Sequence, residues 1–170
     1  MHNMQKRLFL AAIAILCTTF VAHVYAHVDD LYWNIWWLDI LMHFFGGVGV
    51  GFLGLGCAVL CGFLPKAGRQ AFVGSITVNF KSGTPPWWWS AGCALIAVAI
   101  VGLAWEVLEV FLLAYSGKQI PVGYIADTML DLVMDAAGAT VAWACFYRVQ
   151  YGAWGVREKF PANNQSTQQS

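Results

Sequence analysis

The sequence predicts an all-α, polytopic membrane protein with four transmembrane helices and both termini on the cytoplasmic side. Of its 170 residues, 59% are hydrophobic and only 11% are charged, whereas an average soluble domain carries about 25% charged residues. Four apolar runs each approach or exceed the roughly 20 residues that a spanning helix needs. The length allows one four-helix domain, 1–160, followed by a polar tail, 161–170, that we expect to be disordered.

Charge and cysteine usage exclude some classes of function. The formal net charge is zero, and no basic block suggests nucleic acid as a partner. The five cysteines all lie in apolar runs and none forms a CxxC pair. We interpret them as small core residues of helices buried in lipid and infer nothing about disulfides.

The first predicted span covers about residues 8–26 and follows a short basic start. It could instead be a cleavable signal peptide, because Val24-Tyr25-Ala26 has the small-residue pattern of a cleavage site. We favour a retained helix, and the topology of the remaining chain is the same in either case.

The second predicted span covers about residues 35–64 and would be roughly 45 Å long if it were fully helical. That length exceeds the hydrocarbon thickness, so we expect the helix to tilt or its first turn to project into the headgroups. Gly47, Gly51 and Gly54 repeat on one face and predict close packing with a neighbouring helix. The start of the span carries an interfacial aromatic girdle, Trp33, Trp36 and Trp37.

The third and fourth predicted spans cover about residues 90–115 and 127–147. The connection before the third span, 65–89, is the longest, and its residues 75–80 alternate like a short strand or an extended surface segment. The loop between the third and fourth spans is short and contains Gly117 and Pro121.

The distribution of cations predicts the orientation. With four spans and a cytoplasmic N-terminus, eight of the nine lysines and arginines lie inside and only Lys118 lies outside. This asymmetry is the positive-inside pattern. The inside cations are Lys6, Arg7, Lys66, Arg69, Lys81, Arg148, Arg157 and Lys159.

Acidic residues are concentrated in the spans, which is unusual for a chain with so few charges. Six of the nine acids lie inside or at the mouth of a span, and one histidine, His43, accompanies them. Spacings of three or four place successive members on one helix face. The acids are Asp39, Glu106, Glu109, Asp127, Asp131 and Asp135.

Depth along the helices predicts that these groups form one site. At about 1.5 Å per residue, His43 lies roughly 10 Å below the outer end of the second span. The same rise places Glu109 and Glu106 about 9 to 13 Å from the outer end of the third span, and Asp131 and Asp135 about 6 and 13 Å into the fourth. Three helices therefore present polar faces at one level in the outer half of the membrane.

The predicted spans that carry these acids contain no lysine or arginine to neutralise them. Carboxylates in lipid then need bound cations, or must stay neutral through raised pKa values and hydrogen bonds. We favour a divalent cation (Mg, Mn, Ca, Fe or Zn), since oxygen ligands with one imidazole suit these ions. The spacings do not match the Glu-x-x-His motifs of di-iron bundles.

The candidate metal ligands comprise seven residues, and several have simpler interpretations. Asp127 could be a helix-start acid favoured by the helix dipole, Asp39 could be solvated among the headgroups, and His43 could be a packing residue. The candidates are Asp39, His43, Glu106, Glu109, Asp127, Asp131 and Asp135, with Glu106 and His43 as candidate catalytic residues.

Three short motifs, in order, resemble a known family. Asp39-Ile-Leu-Met-His43-Phe, Trp105-Glu-Val-Leu-Glu109 and Asp127-Thr-Met-Leu-Asp131 are similar to elements of the YjdF-like family of small bacterial inner-membrane proteins. The resemblance covers the second to fourth spans. It implies a multi-pass protein of the bacterial inner (cytoplasmic) membrane and supplies no reaction.

Three functions remain open at this point. The first is a metal-dependent hydrolase acting on a lipid or lipid-linked phosphate from the outer leaflet. The second is an ion-, proton- or metal-handling transporter subunit, which with four spans would need a homo-oligomer. The third is an accessory subunit packed in a larger membrane complex. In each case the lipid bilayer is the surrounding partner.

Overall fold

The computed structural model describes residues 2–64, 71–73, 76–78, 85–117 and 119–151. Its helices are α1 (His2–Val28), α2 (Leu31–Asn34), α3 (Leu38–Leu60), α4 (Trp87–Tyr115) and α5 (Tyr124–Tyr151). A small antiparallel pair, β1 (Ala71–Val73) and β2 (Ile76–Val78), lies between α3 and α4.

The predicted fold class is confirmed, because the described part of the chain is essentially helical and four of its helices can cross a membrane. These segments are Lys6–Val28, Leu38–Leu60, Trp87–Tyr115 and Tyr124–Tyr151. The orientation of the termini stays a prediction. The predicted tail, 161–170, lies outside the described residues, as does most of the 65–89 connection.

The second helix differs from the continuous segment expected over 35–64. Asp30 has a left-handed backbone with φ 52°, and Ile35 leaves the helical region at φ −129°. Aspartate tolerates the left-handed conformation better than most residues. The chain therefore forms the single turn of α2 and then starts α3 at Leu38. With 23 residues, α3 is about 35 Å long, close to the thickness of the hydrocarbon core.

Helix α3 is the centre of the bundle and contacts each of the other three long helices. Side chains of α1 pack on two of its glycines, Leu16 on Gly49 and Phe9 on Gly56, which fixes an antiparallel pair. On another side, Gly47 lies against the backbone of Asp135 in α5. Of the three glycines that were expected to share one face, Gly47 and Gly51 both lie against α5, whereas Gly54 lies against Ala97 of α4.

The contact between α3 and α5 is parallel and close. A Cβ atom at Gly138 would collide with the backbone of α3 at Phe44 and Val48, while Gly51 faces Ala139. Small residues allow two helix backbones to approach in this way inside a membrane. This close approach determines which side chains of α3 and α5 meet.

The apolar core lies toward the Leu60 end of α3. Leu55, Ala139 and Phe146 are among its buried members, and indole N–H groups are satisfied at its edge. Trp143 Nε1 donates to Ser90 Oγ at 3.0 Å, and Trp89 Nε1 donates to the Phe63 carbonyl at 2.9 Å. The acidic residues occupy the opposite end of the same bundle.

Candidate functional site

Two helices supply the centre of the site. Asp39 and His43 lie four residues apart on α3, and Asp131 and Asp135 lie four apart on α5, so each pair shares one helix face. The close approach of α3 to α5 one turn beyond His43 brings the two faces together. All three buried members are well shielded, with His43 8%, Asp131 3% and Asp135 7% exposed.

Asp39, His43 and Asp131 form a group that could hold a metal ion. Each offers one ligand atom, and these atoms lie within 4.8 Å of one another. His43 Nε2 is 3.9 Å from Asp39 Oδ1 and 3.9 Å from Asp131 Oδ2. With metal–ligand bonds of about 2.1 to 2.5 Å, two ligand atoms on one ion lie at most about 4.2 to 5.0 Å apart. The spacing of the group is therefore compatible with one shared ion.

Asp135 contacts the other nitrogen of the same imidazole ring. His43 Nδ1 is 3.5 Å from Asp135 Oδ1. A carboxylate on the far side of a metal-binding imidazole fixes the tautomer and the ring orientation. Gly102 of α4 gives this carboxylate its space, since a Cβ atom there would lie 2.6 Å from Asp135 Oδ2. The geometry thus separates an orienting aspartate from two aspartates that face Nε2.

Glu106 of α4 lies beside this group and has its own contacts. Its Oε2 accepts a hydrogen bond from Thr128 Oγ1 at 2.8 Å and a longer one from the Tyr124 hydroxyl at 3.4 Å. Its Oε1 is buried and has no hydrogen-bond partner. A buried carboxylate oxygen without a partner is costly unless it carries a proton or meets a cation. Glu106 is also near enough to Asp39 and Asp131 for their charges to interact.

The remaining two predicted ligands lie toward the edge of the site. Glu109 is half-buried and its Oε1 accepts a hydrogen bond from Trp105 Nε1 at 2.9 Å. Asp127 is exposed in the first turn of α5, where a negative charge is favoured by the helix dipole. Neither belongs to the three-residue group found among the described residues. Their roles as ligands stay predictions.

A pair of residues that we did not single out from the sequence borders the site on the α1 side. His23 Nδ1 is 2.6 Å from the Tyr32 hydroxyl, and the His23 ring meets Trp105 edge-on with centroids 5.1 Å apart. Burial raises the pKa of Tyr32, so its hydroxyl stays protonated and can donate to His23. A histidine inside an apolar run was the signal in the sequence that could have indicated this pair.

A cavity of about 180 Å³ reaches the cluster from the side of α1 and α4. Its polar lining includes Asp39, His43 and Asp135, and the rest is largely apolar. Within the described residues, α3 and α4 carry no lysine or arginine, and α5 carries Arg148 only in its last turn, at the other end of the bundle. The cluster is therefore an acidic site without a neutralising cation from these helices.

Comparison with known proteins identifies the family of the chain. A family model described as "Predicted membrane protein (DUF2238)" matches residues 3–152. No curated protein and no solved structure was found to match. Since the match covers most of the chain and all four spanning helices, the chain belongs to this family of membrane proteins, the YjdF-like family.

Proposed function

We propose that the protein binds a divalent cation through Asp39, His43 and Asp131 and uses it to hydrolyse a lipid or lipid-linked substrate. One observation carries the proposal: three ligand atoms from two helices lie within 4.8 Å of one another inside a membrane-spanning bundle. Their two carboxylates would balance the charge of one divalent ion. Burial strengthens the case, because unpaired carboxylates are expensive there.

Each residue of the site has a role in this proposal. Asp39, Asp131 and His43 Nε2 would hold the cation, and Asp135 would keep the imidazole oriented through Nδ1. When bound, the cation would supply Lewis-acid activation of a water molecule. Glu106 accepts the proton of the attacking water on its unpartnered Oε1 and returns it to the leaving group. His43 has both ring nitrogens engaged, so Glu106 is the better general base of the two candidates.

The position of the cluster supports hydrolysis over transport across the bundle. Beyond Asp135 the two helices continue with close glycine and alanine packing at Gly51, Ala139 and Ala142. Leu55 in this region is fully buried. A conducting path would need polar groups here, where the described interface of α3 and α5 is apolar. The described packing of α3 on α5 thus offers no polar route from the cluster toward the Leu60 end of the bundle.

The proposal also includes the orientation of the protein in the membrane and its cellular location. The positive-inside pattern favours a position of the cluster in the outer half of the membrane, and the family resemblance favours the bacterial inner membrane. A substrate would then reach the site from the outer leaflet. A reporter enzyme that is active only in the cytoplasm, fused after residue 170, should be active.

Elemental analysis of protein purified in detergent tests the cation. We expect about one divalent ion per chain, as the three-ligand group allows. His43→Ala and Asp131→Ala should each lose it. Asp127→Ala is the comparison variant: it removes an exposed acid of the same helix that lies outside the three-residue group and should keep the ion, whereas loss of the ion would confirm the ligand role predicted for Asp127. Folded wild-type protein that carries no metal and binds none on titration would contradict the proposal.

Turnover separates hydrolysis from simple binding. Metal-loaded protein is incubated with labelled lipid extract and the released products are identified. Glu106→Gln should retain the ion and lose product formation. Retained metal without turnover in the wild type would instead favour ion handling, and purification with a second protein at fixed stoichiometry would favour an accessory subunit.

A further inference from the structure

The cavity beside the cluster has a shape that the cation site alone does not explain. It runs along α3 between α1 and α4, with Phe20 on one wall, Val101 on the other, and Val50 and Val98 deeper inside. At one end it meets the carboxylates of Asp39 and Asp135 and the imidazole of His43. It is therefore an apolar groove with an acidic end.

The groove opens sideways toward the acyl chains of the membrane. Phe20 on α1 is 60% exposed and Val101 on α4 is 48% exposed, while Val98 is only 3% exposed. Both walls belong to membrane-spanning helices. At this depth the surroundings of an exposed side chain are hydrocarbon rather than water.

The arrangement of the helices explains why the groove exists. Helix α1 packs on α3, and α4 packs on α3 and α5. Toward the acidic end, α1 and α4 meet through the edge contact of His23 with Trp105. Gly46 of α3 lines the space between them, and a Cβ atom there would meet nothing within 4 Å. The groove is thus bounded by α3 below and by α1 and α4 at the sides.

The volume of the groove and the charges of the residues that line it indicate which kind of molecule it can bind. A dry cavity of about 150 Å³ holds a benzene-sized molecule, so about 180 Å³ holds a segment of one apolar chain rather than a whole lipid. The titratable residues that line the groove are the acids Asp39 and Asp135 and the histidines His23 and His43, and no lysine or arginine lines it. Asp135 faces His43, whereas the Asp39 side chain is 35% exposed and retains a second oxygen for a donor. A cationic group is therefore favoured at this end and an anionic group is not.

We propose that the groove binds one acyl chain of an amine-headed bilayer lipid, with the ammonium group at Asp39. The inference rests on the proposed function in one respect: such a lipid would be the substrate class presented to the cluster. Binding in the groove itself depends on the shape of the cavity and on the charge of Asp39.

Photo-crosslinking of the full chain tests the groove. The protein is reconstituted in phosphatidylcholine vesicles containing a phosphatidylethanolamine with a diazirine in its acyl chain, and labelled peptides are mapped by mass spectrometry. We expect labelling at Val98, which lines the groove and is only 3% exposed, so that a chain inside the groove is needed to reach it. In Gly46→Trp this labelling should fall by about tenfold, because the indole removes the contacts available to the chain.

A matched variant controls for the effect of adding tryptophan. At Gly92 of α4 an added Cβ atom would also meet nothing within 4 Å, and this glycine does not line the groove. Gly92→Trp should therefore label like the wild type. Equal labelling of Gly46→Trp and wild type would contradict the proposal that the groove binds an acyl chain. Should Gly46→Trp fail to fold, competition on the wild type by unlabelled phosphatidylethanolamine decides, and failure to compete overturns it equally.

The headgroup is tested with a second probe of identical chains. A phosphatidylglycerol analogue should label the groove about threefold less, as expected for one partly exposed charge pair. Both lipids are compared after treatment with a chelator, so that loss of a metal ligand does not contribute, and there Asp39→Asn should abolish the difference. Equal labelling by the two lipids in the wild type would contradict the ammonium assignment.

Metal content distinguishes this inference from the proposed function. The crosslinking is repeated after treatment with a chelator, and the metal is measured in the same samples. Groove labelling in protein that never binds metal would overturn the cation site and leave the groove standing. If the protein has its full metal content but the labelling is spread evenly over all exposed apolar side chains, the groove does not bind an acyl chain. The proposed cation site is then unaffected.

Discussion

The two halves of the interface between α3 and α5 are built from the same helices and behave differently. Toward Leu60, the contact consists of fully or almost fully buried apolar residues such as Leu55, Ala139 and Ala142. Toward Leu38, the same two faces carry His43, Asp131 and buried Asp135. One half of the interface consists of closely packed apolar residues, and the other half contains buried ionisable residues.

The difference indicates where stability and function reside. Glycine and alanine packing holds the helices together without help from charges, through van der Waals contact at short range. Buried ionisable groups oppose stability unless they are paired or bind an ion. The packed half therefore fixes the geometry of the acidic half, which is free to bind a ligand.

The largest effect should come from breaking the packed contact where the halves meet. In Gly138→Val the side chain would collide with the backbone of α3 at Phe44 and Val48. We expect a loss of about 3 kcal/mol or more, since overpacking against backbone cannot be relieved by a rotamer change. Thermal unfolding in detergent measures it. Gly92→Val, at an open position, is the control and should unfold like the wild type. If the thermal stability of Gly138→Val equals that of the wild type, α3 and α5 do not approach so closely.

A smaller and purely local effect is expected for Asp135→Asn. The amide keeps the volume of the side chain but removes the charge that faces His43 Nδ1 at 3.5 Å. Metal affinity should fall by about 10- to 100-fold, as it does when the outer partner of a metal-bound histidine is changed. Titration with the metal in detergent measures the affinity. The thermal stability of the metal-free protein should not fall, because a buried charge has been removed. If the stability falls while the metal affinity is unchanged, Asp135 serves the packing of α3 on α5 rather than the orientation of His43.

Much of this division could be predicted from the sequence. Four apolar runs predicted the four spanning helices, and the spacing of four predicted shared faces for Asp39 with His43 and for Asp131 with Asp135. Depth along each helix then placed carboxylates and histidine in one cluster, and such a cluster is present. These inferences need only the rise and the period of a helix.

The rest depended on information that no single helix carries. The rotation of α4 about its axis decides that Glu106 is buried beside Thr128 while Glu109 bonds Trp105, and that rotation is set by packing against two partners. The turn before Leu38 depends on the backbone of Asp30 and Ile35, which hydropathy does not report. The contact of His23 with Trp105 required knowing that α1 lies near α4.

The smallest effect is expected for a variant that disturbs the position of Glu106 and leaves the three cation ligands unchanged. Thr128→Val keeps the shape of the side chain and removes the hydrogen bond that Oγ1 donates to Glu106 Oε2 at 2.8 Å. Metal content should be unchanged, since Thr128 is outside the three-residue group. With Glu106 less well positioned, kcat of the metal-dependent hydrolysis should fall about tenfold, or about 1.4 kcal/mol, with little change in KM. Thr128→Ser should restore it.

Thr140 offers the matched control for this last comparison. It lies on the same helix, but its Oγ1 donates only to the Ala136 carbonyl at 2.8 Å, within its own turn. Thr140→Val should therefore leave both metal content and kcat unchanged. If Thr128→Val loses the metal, Glu106 belongs with Asp39, His43 and Asp131 as a ligand, because disturbing its position then disturbs the ion itself. If neither quantity changes, the hydrogen bond serves helix packing, and Glu106 has no part in proton transfer.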